Sequence, residues 1–171
     1  LYPYDVNKSK ALLKTAGYAN GLTVNLDLPP IAYATNSGEF IAASLAKVGI
    51  KVNLKPIAWG EWIDRVFTKK DYDMTIVCHI ESNDMAIYAN PDYYFGYNST
   101  VYQGLIKKAA SAKTQEARVE NLKKAARVLA TDSASDWLWL IPNLQVAKKT
   151  ISGIPLKTVG DAYTVDGITV G

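Results

Sequence analysis

Apolar and polar residues alternate from Leu22 to Leu28, with Leu22, Val24, Leu26 and Leu28 on one side and Thr23, Asn25 and Asp27 on the other. A period of two is that of a half-buried strand, and Pro29-Pro30 stops it. Ahead of it, Asp5 is placed to N-cap a helix running to Ala16, with Gly17 ending that helix in a left-handed conformation. After it, Phe40, Ile41, Ser44, Leu45 and Val48 recur at helical spacing and Gly49 supplies the next cap. Ile50, Val52 and Leu54 then alternate again. Strand, helix, strand in this order predicts a right-handed parallel crossover.

The pattern repeats once. Trp59, Trp62, Ile63, Val66 and Phe67 share one side of a helix, and the run Met74 to Cys78 is apolar but for Thr75. Continuous rather than alternating apolarity predicts a strand covered on both faces, and so the central strand of the sheet. Residues 80–99, IESNDMAIYANPDYYFGYNS, form a polar and aromatic stretch too long for an ordinary connection, which points to function. Two helices follow over 101–112 and 115–130. Val119, Leu122, Ala126 and Leu129 give the second its buried stripe, and Lys123, Lys124 and Arg127 a solvated face. Another apolar run, 137–141, ends at Pro142, with 145–149 as a return strand, and 151–171 reads as loop or extended chain. The alternation predicts an α/β fold with a mostly parallel central sheet flanked by helices.

Composition changes this picture little. At 171 residues, 49% hydrophobic and 20% charged, the chain has the makeup of one soluble globular domain. Its net charge of +3 arises from scattered side chains, with no basic block for nucleic acid or an anionic membrane. A single cysteine, Cys78, excludes an internal disulfide framework and is silent on compartment. No apolar run approaches the roughly 20 residues of a membrane span. The abrupt opening Leu1-Tyr2-Pro3-Tyr4-Asp5, leading straight into a helix, suggests a piece cut from a longer protein.

The chemistry that the residues allow is narrow. His79 is the only histidine, so a serine or cysteine nucleophile with a histidine base would have to use it. Its neighbour Cys78 points to the opposite face of a strand, and the two do not readily chelate one ion. A zinc site would need carboxylates in the remaining positions, and a neutral, hydrogen-bonded histidine at a strand end is the preferred reading, with no metal or cofactor expected. GxSxG, GxxxxGK and GxGxxG stretches are absent, which argues against nucleotide chemistry.

In open parallel sheets ligands bind beyond the carboxyl ends of the strands. Those positions here are 31–33, 58–61, 79–84 and 142–143, which contribute Tyr33, Trp59, His79, Glu81, Asn83, Asp84 and Asn143, with Tyr88, Asp92 and Tyr93 in the aromatic loop. Aromatic walls with a few carboxylates and amides suit a cationic or amide-bearing solute. The competing readings are that Trp59 belongs to a helix core, as Trp62 does, and that the tyrosine loop is packed surface.

With these segments placed, YDVNKSKALLKTAGY (4–18), SGEFIAASLAKVGIKVNL (37–54), WGEW (59–62), DYDMTIV (71–77) and NPDYYFGYNS (90–99) stand in a specific order. In that order they resemble the C-terminal portion of family 5 extracellular solute-binding proteins, the dipeptide, oligopeptide and nickel-type receptors of ABC importers. The resemblance implies a periplasmic binding protein-like (type II) lobe: residues 1–150 as most of the second of two lobes, and 151–171 as an extended tail returning toward the first. It implies a periplasmic or extracellular protein, not an enzyme. Such a protein takes a small-molecule or short-peptide solute by hinge closure and delivers it to ABC importer permease subunits, without itself spanning the membrane. It also implies that an aspartate after the central strand holds the ligand's amine, here Asp84, with Glu81 as a substitute. The spacing from Asp84 to Pro91-Asp92 is longer than in the dipeptide and oligopeptide receptors. The alternatives are a carboxylate-based hydrolase using Glu81, Asp84 or Asp92, and a ligand-sensing receptor lobe.

Overall fold

The computed structural model describes residues 1–81, 83–142, 144–156 and 164–171. The chain divides into two compact units, Leu1–Val77 with Asn90–Ser99, and Cys78–Ala89 with Thr100–Gly171.

The first unit is built on a three-stranded parallel sheet. Helix α1 (Val6–Thr15) starts where the Asp5 carboxylate accepts the Lys8 N–H at 2.9 Å, which satisfies one of the four unpaired donors of a helix start. Strand β1 (Leu22–Leu28), helix α2 (Ala32–Ala46) and strand β2 (Ile50–Pro56) form the expected crossover, with β1 and β2 parallel from Leu22 opposite Ile50 to Leu28 opposite Pro56. Gly21 and Gly49, both at positive φ, open the two strands side by side. A Cβ on Gly21 would lie 2.2 Å from the Gly49 carbonyl oxygen, so only glycine fits.

Helix α2 carries the expected stripe further toward its N-terminus, on small residues. Ala34 and Gly38 are buried, Ile41 packs on the same core, and Phe40 is 74% exposed. Small residues let the helix close on β1, where a Cβ on Gly38 would meet Leu28 Cδ1 at 2.8 Å. Hydrophobic periodicity gives such residues no weight.

Helix α3 (Trp59–Glu61) runs on into a π-helical stretch, Trp62–Thr68. It buries Trp62 and Val66 and leaves Ile63 and Phe67 at the surface. Strand β3 (Met74–Thr75) pairs only with β1, in the order β2-β1-β3, so the central position belongs to β1 and not to the 74–78 run. That run is nevertheless covered on both faces. Ile76 joins the core of Leu26, Leu28 and Ala34, and Val77 packs on the second core of Ile57, Trp62, Val66 and Tyr94. Side-chain hydrogen bonds add to its short pairing with β1. Asn25 donates its backbone N–H and its amide to Asp73 Oδ2 at 2.8 and 2.9 Å, and Asn53 donates to Asn25 Oδ1 at 3.3 Å. Further along, Trp62 Nε1 donates to Thr75 Oγ1 (2.9 Å), and Thr75 donates to the Asp27 carbonyl (3.0 Å).

The second unit holds helix α4 (Asp84–Ile87) and two longer helices, α5 (Thr100–Ala110) and α6 (Gln115–Asp132), packed together across a short turn. Tyr102, Ala109, Ala125 and Leu129 are buried between them, and Tyr102 donates to the Met85 carbonyl at 2.6 Å. The stripe of α6 passes through Ala125, with Ala126 exposed, while Lys123, Lys124 and Arg127 face solvent as expected. The run 137–141 is not a strand: Trp137, Leu138, Trp139, Leu140 and Ile141 are 40–96% exposed. A continuous apolar run becomes a strand only beside a partner strand, and no described residue supplies one; 145–149 is likewise not a strand. The tail instead carries a two-stranded antiparallel pair, β4 (Ile151–Ser152) with β5 (Thr169–Val170).

Candidate functional site

The predicted site residues fall into two sets, one in each compact unit. In the first unit, Tyr33 sits in the first turn of α2, half-buried against the core of Leu26 and Leu28. Trp59 opens α3 with 37% of its surface exposed and meets Trp62 edge-to-face at 5.6 Å. Asp92 is exposed, its backbone N–H donating to Asn90 Oδ1 at 3.0 Å in a turn. Tyr93 packs edge-on to Phe67 at 5.6 Å and tilts onto Phe95 at 4.9 Å.

The aromatic loop therefore supplies core as well as surface. Tyr94 is 6% exposed and stacks among Trp62, Phe67 and Tyr72, with the Tyr72 hydroxyl donating to its carbonyl at 3.3 Å. Burial raises the Tyr72 phenol above its ordinary pKa. Sequence reasoning had only the density of tyrosines here, which does not separate a ring in the core from one in a binding wall.

In the second unit, three predicted residues converge. His79 Nδ1 lies 3.2 and 3.0 Å from the two carboxylate oxygens of Glu81. Donor atoms of His79, Glu81 and Asp84 all lie within 4.8 Å of one another. Partial desolvation raises the Asp84 carboxyl above its usual range, and the Glu81 carboxyl hydrogen-bonded to it raises it further. The charge of His79 and the Glu81 backbone oppose these effects. The chain geometry is simple: His79 and Glu81 flank one residue, and Asp84 opens α4 three positions on. Asn83 is the exposed N-cap of that helix, its carbonyl accepting from the Ala86 N–H at 2.9 Å. Cys78 does not join the cluster.

Tyr88 is 7% exposed, its hydroxyl donating to Ser135 Oγ at 3.0 Å and its ring 5.8 Å from that of Trp137. Burial raises its phenol pKa as well. Asn143 lies outside the described residues.

A separate open cleft of about 530 Å³ lies at the amino ends of β1 and β2, lined by Lys10, Lys14, Tyr18, Asn20 and Lys47 among others. Of its lysines, Lys14 lies in the last turn of α1 and Lys47 C-caps α2, where each offsets a helix dipole. It holds none of the predicted residues.

The sequence model of bacterial extracellular solute-binding proteins, family 5 (middle region), matches residues 1–104 of the 171. The chain belongs to this family. Its relatives include the dipeptide-binding protein of Escherichia coli K12, 30% identical over 186 aligned residues, covering 96% of this chain and 32% of the relative. Heme-binding protein A of Haemophilus influenzae is 29% identical, with 78% of this chain and 27% of the relative covered. Among solved structures, the ABC transporter-associated periplasmic binding protein DppA of Helicobacter pylori, in complex with the peptide STSA, matches with a TM-score of 0.65 and 25% identity. That match covers 78% of this chain and 28% of the other. The structural neighbours are type II periplasmic binding proteins, in agreement with the expected fold class. The chain thus spans less than a third of the length of these relatives. Members of nearly equal identity are named for dipeptides and for heme, so likeness to family 5 does not choose the solute.

Proposed function

We propose that this chain is part of the second lobe of a solute-binding protein of an ABC importer, capturing a peptide-like or other small polar solute that carries an ammonium group. Residues 1–150 would belong to that lobe, and 151–171 to the chain returning toward the first. The observation that carries the reading is the convergence of Glu81 and Asp84 beside His79. Two carboxylates in one place supply negative charge and several acceptor lone pairs, matching an ammonium with three donors.

Capture is reversible and breaks no bond. The solute bridges two lobes, its higher affinity for the closed form shifts the hinge equilibrium, and the closed form docks on the permease in the periplasm or at the cell surface. Family membership and the relatives' names support transport over catalysis. The hydrolase alternative fares worse on geometry. Acid and base carboxyls of glycoside hydrolases stand roughly 5–9.5 Å apart with room for water or an anomeric carbon. Glu81 and Asp84 instead bring carboxylate oxygens within 4.8 Å of one another.

Calorimetric titration of the longest parent protein with tripeptides, guided by native mass spectrometry of the ligand that copurifies, tests the reading. Glu81→Gln or Asp84→Asn should weaken binding by about 2–5 kcal/mol, the usual cost of breaking a charge pair that the ligand buries. That is roughly 30- to 5,000-fold. Unchanged affinity in both variants removes the amine-binding role.

A further inference from the structure

Two carboxylates together are common on protein surfaces, but here an imidazole nitrogen is held against both oxygens of one of them. His79 Nδ1 is 3.0 and 3.2 Å from Glu81, and the Asp84 carboxylate completes a set whose donor atoms lie within 4.8 Å. Zinc binds imidazole nitrogen and carboxylate oxygen at about 2.0–2.2 Å in a tetrahedron. That geometry places neighbouring donor atoms roughly 3.3–3.5 Å apart. The His79–Glu81 separation is already within a few tenths of an ångström of this. The widest separation in the set has to shrink by about 1.5 Å at most, within reach of rotamer changes in Glu81 and Asp84, which are open to solvent.

We propose that His79, Glu81 and Asp84 form a binding site for a divalent transition metal of the zinc class. The nitrogen donor disfavours calcium and magnesium, which take oxygen ligands. Two carboxylates balance the charge of the ion. Three protein ligands leave the fourth tetrahedral position for water or for a donor atom of the solute, the arrangement of an open zinc site. The spacing His79-x-Glu81-x-x-Asp84 puts all three donors within six residues of chain. This inference concerns the same side chains as the amine reading but does not depend on solute capture.

The test is calorimetric titration of the metal-stripped 171-residue chain with zinc chloride, with magnesium chloride as control. One saturable zinc site of micromolar affinity or better is expected, with no saturable magnesium uptake. His79→Ala should weaken zinc binding roughly 100-fold, at or beyond the 10- to 100-fold typical of outer-sphere partners. Asp84→Asn serves as an independent variant, and far-UV circular dichroism verifies the fold of both. Cobalt(II) should give the absorption bands of a four-coordinate site, lost in His79→Ala. Zinc uptake indifferent to both substitutions, or weak and non-saturable, overturns the site. Tripeptide binding by the longest parent protein, measured in chelator, separates the two readings: peptide affinity without a zinc site removes only the metal proposal, and a zinc site without peptide affinity removes only the amine reading.

Discussion

Asp27 stands on the central strand with its side chain fully buried, paired to the Arg65 guanidinium, which is 27% exposed. Arg65 Nη1 is also 3.8 Å from Glu61. Asp27 Oδ1 and Arg65 Nε have no hydrogen-bond partner among the described residues, so the pair is only partly satisfied. The two partners should then behave asymmetrically. Arg65→Met keeps the apolar stem in place but strands a carboxylate inside the protein, at a cost of about 3–5 kcal/mol. Asp27→Ala removes the fully buried charge and leaves a guanidinium that can turn toward solvent and Glu61, costing about 1–3 kcal/mol for the lost bond and the small cavity. In Asp27→Leu/Arg65→Met both charges go and apolar volume replaces them, so stability should return to within about 1 kcal/mol of wild type or exceed it. Urea unfolding of the 171-residue chain followed by tryptophan fluorescence gives the midpoints. Asp27→Ala being the costlier single change, or a double variant as unstable as the sum of the singles, would refute the reasoning.

Gly21→Ala should destabilise more than Gly38→Ala in the same assay. The first forces a left-handed conformation worth about 1–3 kcal/mol and drives Cβ into backbone, whereas the second meets only the end of the Leu28 side chain, about 1–3 kcal/mol of overpacking. Acrylamide should quench Trp137 and Trp139 readily and Trp62 hardly at all, measured on single-tryptophan variants, since the first two are about half exposed and Trp62 is 6% exposed. The raised pKa of the Tyr72 phenol means its contribution to stability is complete below the unfolded-state value of about 10 and fades as pH rises through the higher folded value. Tyr72→Phe should therefore lose less stability than wild type between neutral and strongly alkaline pH. Asp5→Ala should cost α1 about 1 kcal/mol, visible as faster amide exchange in its first turn, because that helix buries no side chain to hold it otherwise.

Strands β1 and β2 were legible to the residue or nearly so because their apolar residues keep a period of two and each strand is bounded by glycine and proline. What the pattern misplaced were elements whose apolar residues answer to something other than one flat core. The 74–78 run is apolar because Ile76 and Val77 serve two different cores, not because it is central. The 137–141 run reads as a strand by the same rule and finds no neighbour to pair with among the described residues. Helix α2 hides its buried face in Ala34 and Gly38, which carry almost no hydrophobic signal. At the site, the useful clue was position: residues 79–84 follow the carboxyl end of the 74–78 run, where ligands bind in open parallel sheets, while the rarity of histidine argued only against triad and metal chemistry. The tyrosines of the 88–97 stretch were ambiguous, since rings fill cores and line pockets alike.

The cluster also links the two readings of its chemistry. An ammonium group and a zinc-class ion would need the same Glu81 and Asp84 oxygens, so if both bind, they compete and each lowers the other's apparent affinity by the same factor. A solute able to donate a lone pair escapes that competition, because it can fill the fourth position on the ion instead of displacing it. Measuring tripeptide affinity against zinc concentration therefore distinguishes three cases by sign. A fall marks rivalry for the carboxylates, a rise marks the ion as part of the solute site, and no change places peptide and metal on separate groups.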